Sequence, residues 1–215
     1  MSNIYITNEK KILGIKNLEF LELNFLKKDI DFSMFSYLIF TSKNAIKALQ
    51  SYSSSWQKIP SLCISSQTSK TLKEHGGELA LDAKAKDAKE FAYKIKNELK
   101  DKIKNKKILY LRAKLVSTNL KILLESTCDF HEEIIYESKE KKDYKEIIFE
   151  KKDIIIFTSA LRAKYFFKLY QWRSDMLAIC IGRHTQSALT KDIESKLSLE
   201  PSFASCIKMA KKYQI

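Results

Sequence analysis

One tripeptide recurs together with its surroundings. Phe40-Thr41-Ser42 stands within YLIFTSKNAIKAL, residues 37–49, and Phe157-Thr158-Ser159 within IIIFTSALRAKYF, residues 154–166. The two lie 117 positions apart, and a second pair repeats at the same offset: LCISSQTSKTL, residues 62–72, against ICIGRHTQSAL, residues 179–189. Two motifs that share one offset and one internal spacing are not expected by chance. Repetition at a fixed period constrains a fold more than any local pattern does. The chain reads as two copies of one α/β unit.

Each copy has the same physical form. Leu38-Ile39-Phe40 and Ile154-Ile155-Ile156-Phe157 are unbroken apolar runs rich in β-branched and aromatic residues. Such runs suit strands buried on both faces of a parallel sheet. Thr-Ser follows at once, and these residue types cap helix N-termini by accepting from unpaired backbone N–H groups. A helical stretch comes next, with Ala45, Ile46, Ala48 and Leu49 in one copy and Leu161, Tyr165, Phe166 and Leu169 in the other. The second motif repeats the plan. Ligands of open α/β sheets bind outside the carboxyl ends of the strands, so the hydroxyl-bearing turns stand where a site is expected.

Composition narrows the function classes. With 45% hydrophobic residues, 215 positions suffice for one large domain or two small ones. No apolar run approaches the ~18 residues of a membrane span, and the opening MSNIYITNEKK reads as a first strand, Ile4–Thr7, and not as a signal peptide. Cys63, Cys128, Cys180 and Cys206 are far apart without a CxxC, and Cys63 and Cys180 are equivalent positions of the repeat, which marks them as small core residues. The three histidines are scattered, so no metal site is expected. Four glycines cannot assemble a GxGxxG or a phosphate-binding loop, which argues against a nucleotide enzyme. These features together point to a reduced, cytoplasmic, soluble protein.

The formal charge of +13 has three candidate explanations: nucleic acid, an acidic membrane surface, or an anionic small molecule. All but four of the 39 basic residues are Lys, spread with acids over helix faces such as residues 94–107, which is the pattern of a solvated surface. The arginines are more selective. Arg112, Arg162 and Arg183 each fall in or just after a turn at the carboxyl end of an expected strand. Guanidinium groups are suited to bidentate recognition of carboxylate or phosphate, so a cationic site for a small anion is expected there.

Taken in order, the chain reads as a strand at Ile4–Thr7, a short connection through Gly14, and a strand at Leu18–Leu26 entering a linker. The first repeat unit and a Ser-rich loop over Tyr52–Gln57 follow. Then come a strand at Leu62–Ser65, a helix at Thr68–His75 ended by Gly76-Gly77, a strand at Glu78–Leu81, and a long helix at Asp87–Asn105 with Phe91, Ile95, Leu99 and Ile103 on one face. A strand at Ile108–Arg112, a helix at Thr118–Ser126 and a strand at Phe130–Glu137 complete this half. After a charged turn over Lys139–Lys152, the second copy supplies helices at Arg162–Tyr170, Thr185–Ser195 and Phe203–Tyr213, with strands at Leu177–Ile181 and Leu197–Leu199.

The second copy lacks a partner for the strand–helix–strand piece Ile108–Glu137, whereas the N-terminal piece Ile4–Leu26 has no repeat of its own. Placing the two together gives one discontinuous lobe, residues 1–24 plus 138–215, and a second lobe, residues 25–137, inserted within it. Each lobe is α/β, with a ligand cleft expected between them.

The ordered set LIFTSKNAIKAL, EIIYES, IIIFTSALRAKYFF, AICIGRHTQSAL and LEPSFASCIKMA resembles the uroporphyrinogen-III synthase family over nearly the whole chain. The resemblance implies two flavodoxin-like lobes, parallel sheets with helices on both faces, joined by a two-stranded linker. Three departures stand out. The stretch from Asn8 to Asn17 is too short for the usual first helix, Ser65 occupies a common Gly position, and Ala113 follows Leu-Arg where Gly is frequent.

The activity implied is ring closure of hydroxymethylbilane, a linear tetrapyrrole with eight carboxylate side chains, without cofactor or metal. Loss of the substrate hydroxyl gives a cationic azafulvene. Ring D attacks through its substituted carbon, and the resulting spiro intermediate fragments and recloses with that ring inverted. The resemblance carries Tyr136 over as the cleft tyrosine that assists the departing hydroxyl, the alternative being an ordinary strand tyrosine. It carries Thr185 over as a substrate contact, the alternative being a helix cap, and the two roles are compatible. Ser42, Thr68 and Ser159 are the corresponding turn hydroxyls, with Gly182 in the Ile-Gly turn. Arg162 and Arg183 join them on position and charge alone. A monomer without nucleic-acid or membrane partners is expected. Two other readings compete: a two-lobed receptor that binds an anionic metabolite without chemistry, and a nucleic-acid-binding protein, which the scarcity of Arg disfavours. A cleft joined by only two short crossings predicts closure on ligand. X-ray scattering should report a smaller radius of gyration at saturating substrate or product, and an unchanged profile counts against it.

Overall fold

The computed structural model describes residues 2–8 and 11–214. Strands β1 (Ile4–Ile6) and β2 (Lys16–Asn17) open the chain, and β3 (Leu21–Phe25) leads away from them. Then follow β4 (Tyr37–Phe40), α1 (Lys43–Gln50), β5 (Ser61–Cys63), α2 (Ser66–Glu74), β6 (Leu79–Asp82) and α3 (Ala88–Ile103). Next are β7 (Lys107–Ala113), α4 (Leu120–Leu124) and the long β8 (Asp129–Glu140). The C-terminal part holds β9 (Ile154–Phe157), α5 (Ala160–Leu169), β10 (Leu177–Cys180), α6 (Arg183–Gln186), β11 (Ser195–Leu197) and α7 (Phe203–Tyr213). The chain divides into two compact units, Met1–Glu22 with Lys139–Ile215, and Leu23–Ser138.

The first unit is a parallel sheet in the order β11-β10-β9-β1-β2. Its N-terminal strand is internal: Ile4, Tyr5 and Ile6 pair with Ile154, Ile155 and Ile156 on one side, and β2 flanks the other. Side chains alternate across a strand, so a continuous apolar run feeds two cores. Tyr5, Ile155 and Phe157 join Ala163 and Phe166 of α5, while Ile4, Ile6, Ile154 and Ile156 join Cys206 and Ala210 of α7. The first core is aromatic. Phe157 and Phe166 meet edge-on at 5.1 Å between centroids, and Tyr5 and Phe149 at 5.2 Å, arrangements that favour ring quadrupoles.

Asp153 fixes the start of this sheet. Its carboxylate is fully buried and accepts from Asn3 N at 2.7 Å, Asn3 Nδ2 at 3.0 Å and Glu150 N at 2.9 Å. A buried charge is tolerable when its oxygens are hydrogen-bonded in this way.

The second unit carries the order β3-β8-β7-β4-β5-β6. All pairings from β8 to β6 are parallel. β3 runs antiparallel to β8, since Leu26 N donates to Ile135 O and Lys141 N to Phe20 O. Both chain crossings between the units therefore pair with one another. Phe91, Ile95, Leu99 and Ile103 of α3 cover one face of the sheet, and Ile46, Leu49 and Leu72 of α1 and α2 the other. The repeat is visible in the topology: β4, β5 and β6 correspond to β9, β10 and β11, and β7 borders β4 as β1 borders β9.

Several expectations need correction. In place of a helix over Thr185–Ser195 there is only the four-residue α6, and Leu189 and Ile193 beyond it reach the aromatic core from irregular backbone. β11 ends at Leu197, and Leu199, expected in the strand, is exposed. The Ser-rich stretch at 52–57 is not merely a loop. A tight turn over Ser55–Lys58 buries Trp56 completely, with Nε1 donating to Ser53 O at 3.0 Å. The charged segment 139–152 hides an apolar spacing, through which Phe149 is buried and Tyr144 and Ile147 pack on the aromatic core. All four cysteines are buried free thiols, and burial pushes Cys63 and Cys180 up to about 12.

Gly76 ends α2 in the left-handed region at φ 75, and Gly77 follows with its N–H on Leu72 O at 2.9 Å. A Cβ on Gly77 would come within 2.7 Å of both Leu72 Cδ1 and Trp56 Cζ3. Overpacking of this kind costs about 1–3 kcal/mol. Gly77→Ala should lower stability by that amount in urea titrations, with Trp fluorescence reporting the disturbed Trp56 environment.

Candidate functional site

The three residues of the repeated tripeptide divide their work. The phenylalanine anchors: Phe40 and Phe157 are fully buried at the ends of their strands. The threonine ties the turn to the neighbouring central strand. Thr41 Oγ1 lies 2.8 Å from the Tyr110 hydroxyl of β7. In the first unit Thr158 N donates to Thr7 Oγ1 at 3.1 Å, the Thr158 hydroxyl donates to Thr7 O, and Thr7 Oγ1 donates to Ile156 O at 3.1 Å. The serine caps the helix that follows. Ser42 accepts from Asn44 N at 3.1 Å and Ser159 from Arg162 N at 3.2 Å.

The second motif is built on the same plan with one substitution. Ser65 caps α2, accepting from Thr68 N at 3.4 Å and lying 3.0 Å from Thr68 Oγ1. Gly182 holds the equivalent position before α6, in an extended conformation at φ −162, and a Cβ there would meet nothing within 4 Å. Thr68 and Thr185 are both third residues of their helices and both buried. Thr185 is thus not the cap that one reading of the sequence made it. Gly182 is, and Thr185 N donates to Gly182 O at 3.0 Å.

Because the strands that lead into these turns run parallel, the turns gather at one edge of each sheet. In the second unit that edge also carries Tyr136, which pairs opposite Ala113 of β7 and whose O accepts from Lys114 N at 2.9 Å. The Tyr136 side chain is buried and shares a core with Ala45 and Ile46 of α1. Burial raises the phenol above its ordinary value, and the Ser42 hydroxyl offsets part of the rise. Burial likewise pushes Tyr110 up to about 12, with Thr41 acting in the opposite direction. Both phenols are therefore protonated at neutral pH.

In the first unit, Ser159 and Arg162 stand at the end of β9, and Gly182, Arg183 and Thr185 at the end of β10. Arg162 is partly buried in the first turn of α5, whereas Arg183, at the start of α6 between Gly182 and Thr185, is exposed. Arg112 is a different case. Its Nε lies 3.3 Å from Glu132 Oε1 of the adjacent strand, and its Nη1 donates to Ala113 O at 2.9 Å. This guanidinium secures the start of the β7–α4 loop and is taken up by its own chain. Tyr110 and the latch threonines Thr7, Thr41 and Thr158 were not singled out by the sequence reading. The repeated Thr of Phe-Thr-Ser was the available signal for two of them.

Two concavities lie elsewhere on the first unit. One of about 500 Å³ is lined by Phe149, Leu169, Tyr170 and Arg173 among others, at the end of α5 remote from Ser159. One of about 250 Å³ is lined by residues including Asn17, Glu19, Lys141 and Lys145. None of the expected site residues lines either. Among the described residues no cluster of His, Cys, Asp and Glu could hold a metal ion, and no helix is long and apolar enough to cross a membrane.

Parallel α/β sheets with capped, hydroxyl-bearing turns at their carboxyl edges, and a buried phenol at one of those edges, define an α/β protein of the class in which ligands bind outside the carboxyl ends of the strands. The crystal structure of uroporphyrinogen-III synthetase from Helicobacter pylori 26695 superimposes with a TM-score of 0.82 at 29% identity, covering 100% of both chains. A mutant uroporphyrinogen III synthase from the extremely thermophilic bacterium Thermus thermophilus shares the fold at 11% identity, with a TM-score of 0.60 and coverage of 99% of this chain and 98% of that one. No curated protein sequence matches significantly. The family model for uroporphyrinogen-III synthase HemD matches residues 15–207, and the chain belongs to that family.

A folded-state phenol held near 12 against an unfolded value near ~10 has a signed consequence. The folded form keeps the Tyr110 proton longer, so its contribution is complete below about pH 10 and is lost as pH rises towards 12. Urea midpoints should fall over that window, and Tyr110→Phe should show a shallower fall. Parallel pH profiles for the two proteins would contradict the assignment.

Proposed function

We propose that this chain is the uroporphyrinogen-III synthase of haem biosynthesis, closing hydroxymethylbilane with inversion of ring D. Family membership supports the reaction, and the observation that carries the chemistry is Tyr136, buried at the carboxyl edge of the second unit's sheet opposite Ala113. The finer architecture belongs to the same proposal. The first unit's order, with β1 and β2 followed outward by β9, β10 and β11, has the 2-1-3-4-5 plan of a flavodoxin-like lobe. Residues 1–24 plus 138–215 and residues 25–137 are then two such lobes. The enzyme works as a cytoplasmic monomer, with neither nucleic acid nor membrane as partner.

The demands of the reaction fit these residues. The substrate is electron-rich, and its pyrrole nitrogens push out the hydroxyl once that oxygen is protonated, releasing water and leaving the azafulvene cation. Tyr136 supplies that proton or a hydrogen bond in its place. The turns at Ser42, Thr68, Ser159 and Thr185, with the backbone N–H groups that open their helices, hold carboxylates. The Gly182 turn has room for a ligand to approach its backbone, and Arg162 and Arg183 add positive charge. Holding the bilane so that the substituted carbon of ring D attacks is a matter of orientation, an effect worth up to about 7–11 kcal/mol in well-aligned systems.

A receptor that binds without chemistry is the competing reading, and product analysis separates the two. The wild-type protein should convert hydroxymethylbilane to the type III isomer, whereas a receptor leaves the spontaneous type I product. Tyr136→Phe should fold normally, bind product, and lose at least about ten-fold in turnover, near the lower end for a general acid because the hydroxyl also leaves unaided. Its residual product should stay type III, since inversion depends on shape. Full activity in the Phe variant removes Tyr136 from the chemistry, and normal turnover with mostly type I product makes it a positioning group for ring D.

A further inference from the structure

We infer that Lys84 is a substrate-binding residue: its ammonium group holds a carboxylate side chain of the tetrapyrrole, at the carboxyl edge of the second unit's sheet and well away from Tyr136. The inference rests on the functional reading above and adds to it a residue that neither repeated motif contains.

The backbone carries the argument. Among the described residues, Lys84, Asn105 and Lys152 are the non-glycine residues with positive φ, at 46, 59 and 63. That region crowds a Cβ against the main chain and is unfavourable for a residue such as lysine. Two of the three are turn residues. Asn105 follows α3, where Lys106 N donates to Ile103 O at 3.0 Å, and Lys152 lies in the turn that Asp153 N closes on Glu150 O at 3.4 Å. Lys84 belongs to no such turn. It follows β6 at the carboxyl edge, beside the β5–α2 turn that carries Ser65 and Thr68.

Bonds on either side hold it there. Ala83 N donates to Cys63 O at 2.9 Å and Ala85 N to Ile64 O at 2.8 Å. Donors two residues apart thus reach acceptors one residue apart, and Lys84 is the extra residue of a bulge just past the paired Cys63 and Asp82. The surrounding groups are occupied within the turn. Ala83 O accepts from Lys94 Nζ at 2.8 Å, Lys86 N donates to Glu90 Oε2 at 3.1 Å, and Asp87 Oδ1 accepts from Glu90 N at 2.9 Å. Lys94 is in turn paired with Glu90 at 3.1 Å. The Lys84 side chain is exposed and enters no ion pair among the described residues. An unfavourable backbone conformation fixed from both sides, with one ammonium group left unused, points to a ligand.

Position decides what that group can reach. The strands run in the order β8-β7-β4-β5-β6, so Lys84 stands four strand spacings, about 19 Å, along the edge from Tyr136. The turns of Ser42 and Thr68 lie between them. A bilane laid along these turns brings its hydroxyl to Tyr136 and a side-chain carboxylate to Lys84. That contact is the same before and during reaction, so its loss is read in KM and not in kcat.

Four substitutions separate side chain, backbone and overall charge. Lys84→Gln removes the charge and Lys84→Arg keeps it. Lys84→Gly removes the side chain and relieves the left-handed backbone, and Lys86→Gln is the control for net charge alone. KM for hydroxymethylbilane and Kd for uroporphyrinogen III should rise about three- to ten-fold in Lys84→Gln and Lys84→Gly, as for an exposed charge-assisted contact, with kcat and type III product retained. Lys84→Arg and Lys86→Gln should stay within about two-fold of wild type. The urea midpoint of Lys84→Gly should hold or rise, so stability and binding part company in one variant. Wild-type KM and Kd in Lys84→Gln, an equal loss in Lys86→Gln, or a loss confined to kcat overturns the inference. A wild type that binds uroporphyrinogen III without converting hydroxymethylbilane overturns the functional reading, and the Kd series then decides Lys84 by itself. A wild type that binds neither overturns both.

Discussion

The first unit depends on a meeting between residues that lie 150 positions apart, Asn3 and Asp153. β1 lies inside its sheet, between β9 and β2. Neither β2 nor the core formed by Ile4, Ile6, Ile154 and Ile156 can be completed until the N-terminus returns to the C-terminal half. Asp153 and the Thr7–Thr158 bonds mark the two ends of that encounter, one at the start of the paired strands and one at their carboxyl edge. Contacts of such sequence separation carry a loop-closure cost before they return any stability. The inserted unit is continuous in sequence and brings the two crossings β3 and β8 together as an antiparallel pair. This pairing holds the ends of the first unit's two segments near each other in the chain's path. It lowers the effective length of the loop that β1 must close.

The same arrangement explains why a single tripeptide suffices for two turns of different use. Phe, Thr and Ser are read by three separate surroundings: the core, the neighbouring strand and the following helix. What differs between the units is the partner of the threonine. It is a backbone and hydroxyl cluster at the end of β1 in one, and a buried phenol of β7 in the other. The second unit thereby places two protonated phenols, Tyr110 and Tyr136, around one turn. The asymmetry gives the two copies distinct chemistry on a shared frame. In the proposed function the turns that hold anions come from the common plan, and the acid comes from what the adjacent strands carry.

Features that depend on neighbouring residues or on repetition were legible before any folding was considered. The apolar runs became strands, the Thr-Ser steps became turns with serine caps, the face Phe91–Ile95–Leu99–Ile103 buried itself, and the 117-residue offset marked equivalent elements. Capping and periodicity act over a few residues, so a linear reading captures them. Anything that required knowing which strand lies beside which came only with the folded chain. α6 stopped after one turn while Leu189 and Ile193 beyond it packed on the aromatic core, and Gly182 took the cap that the linear reading offered to Thr185. Arg112 was claimed by Glu132, which is distant in sequence and adjacent in the sheet. A side chain's chemistry is set by the groups within hydrogen-bonding distance, and in a parallel sheet those groups arrive by crossover connections that no local pattern records.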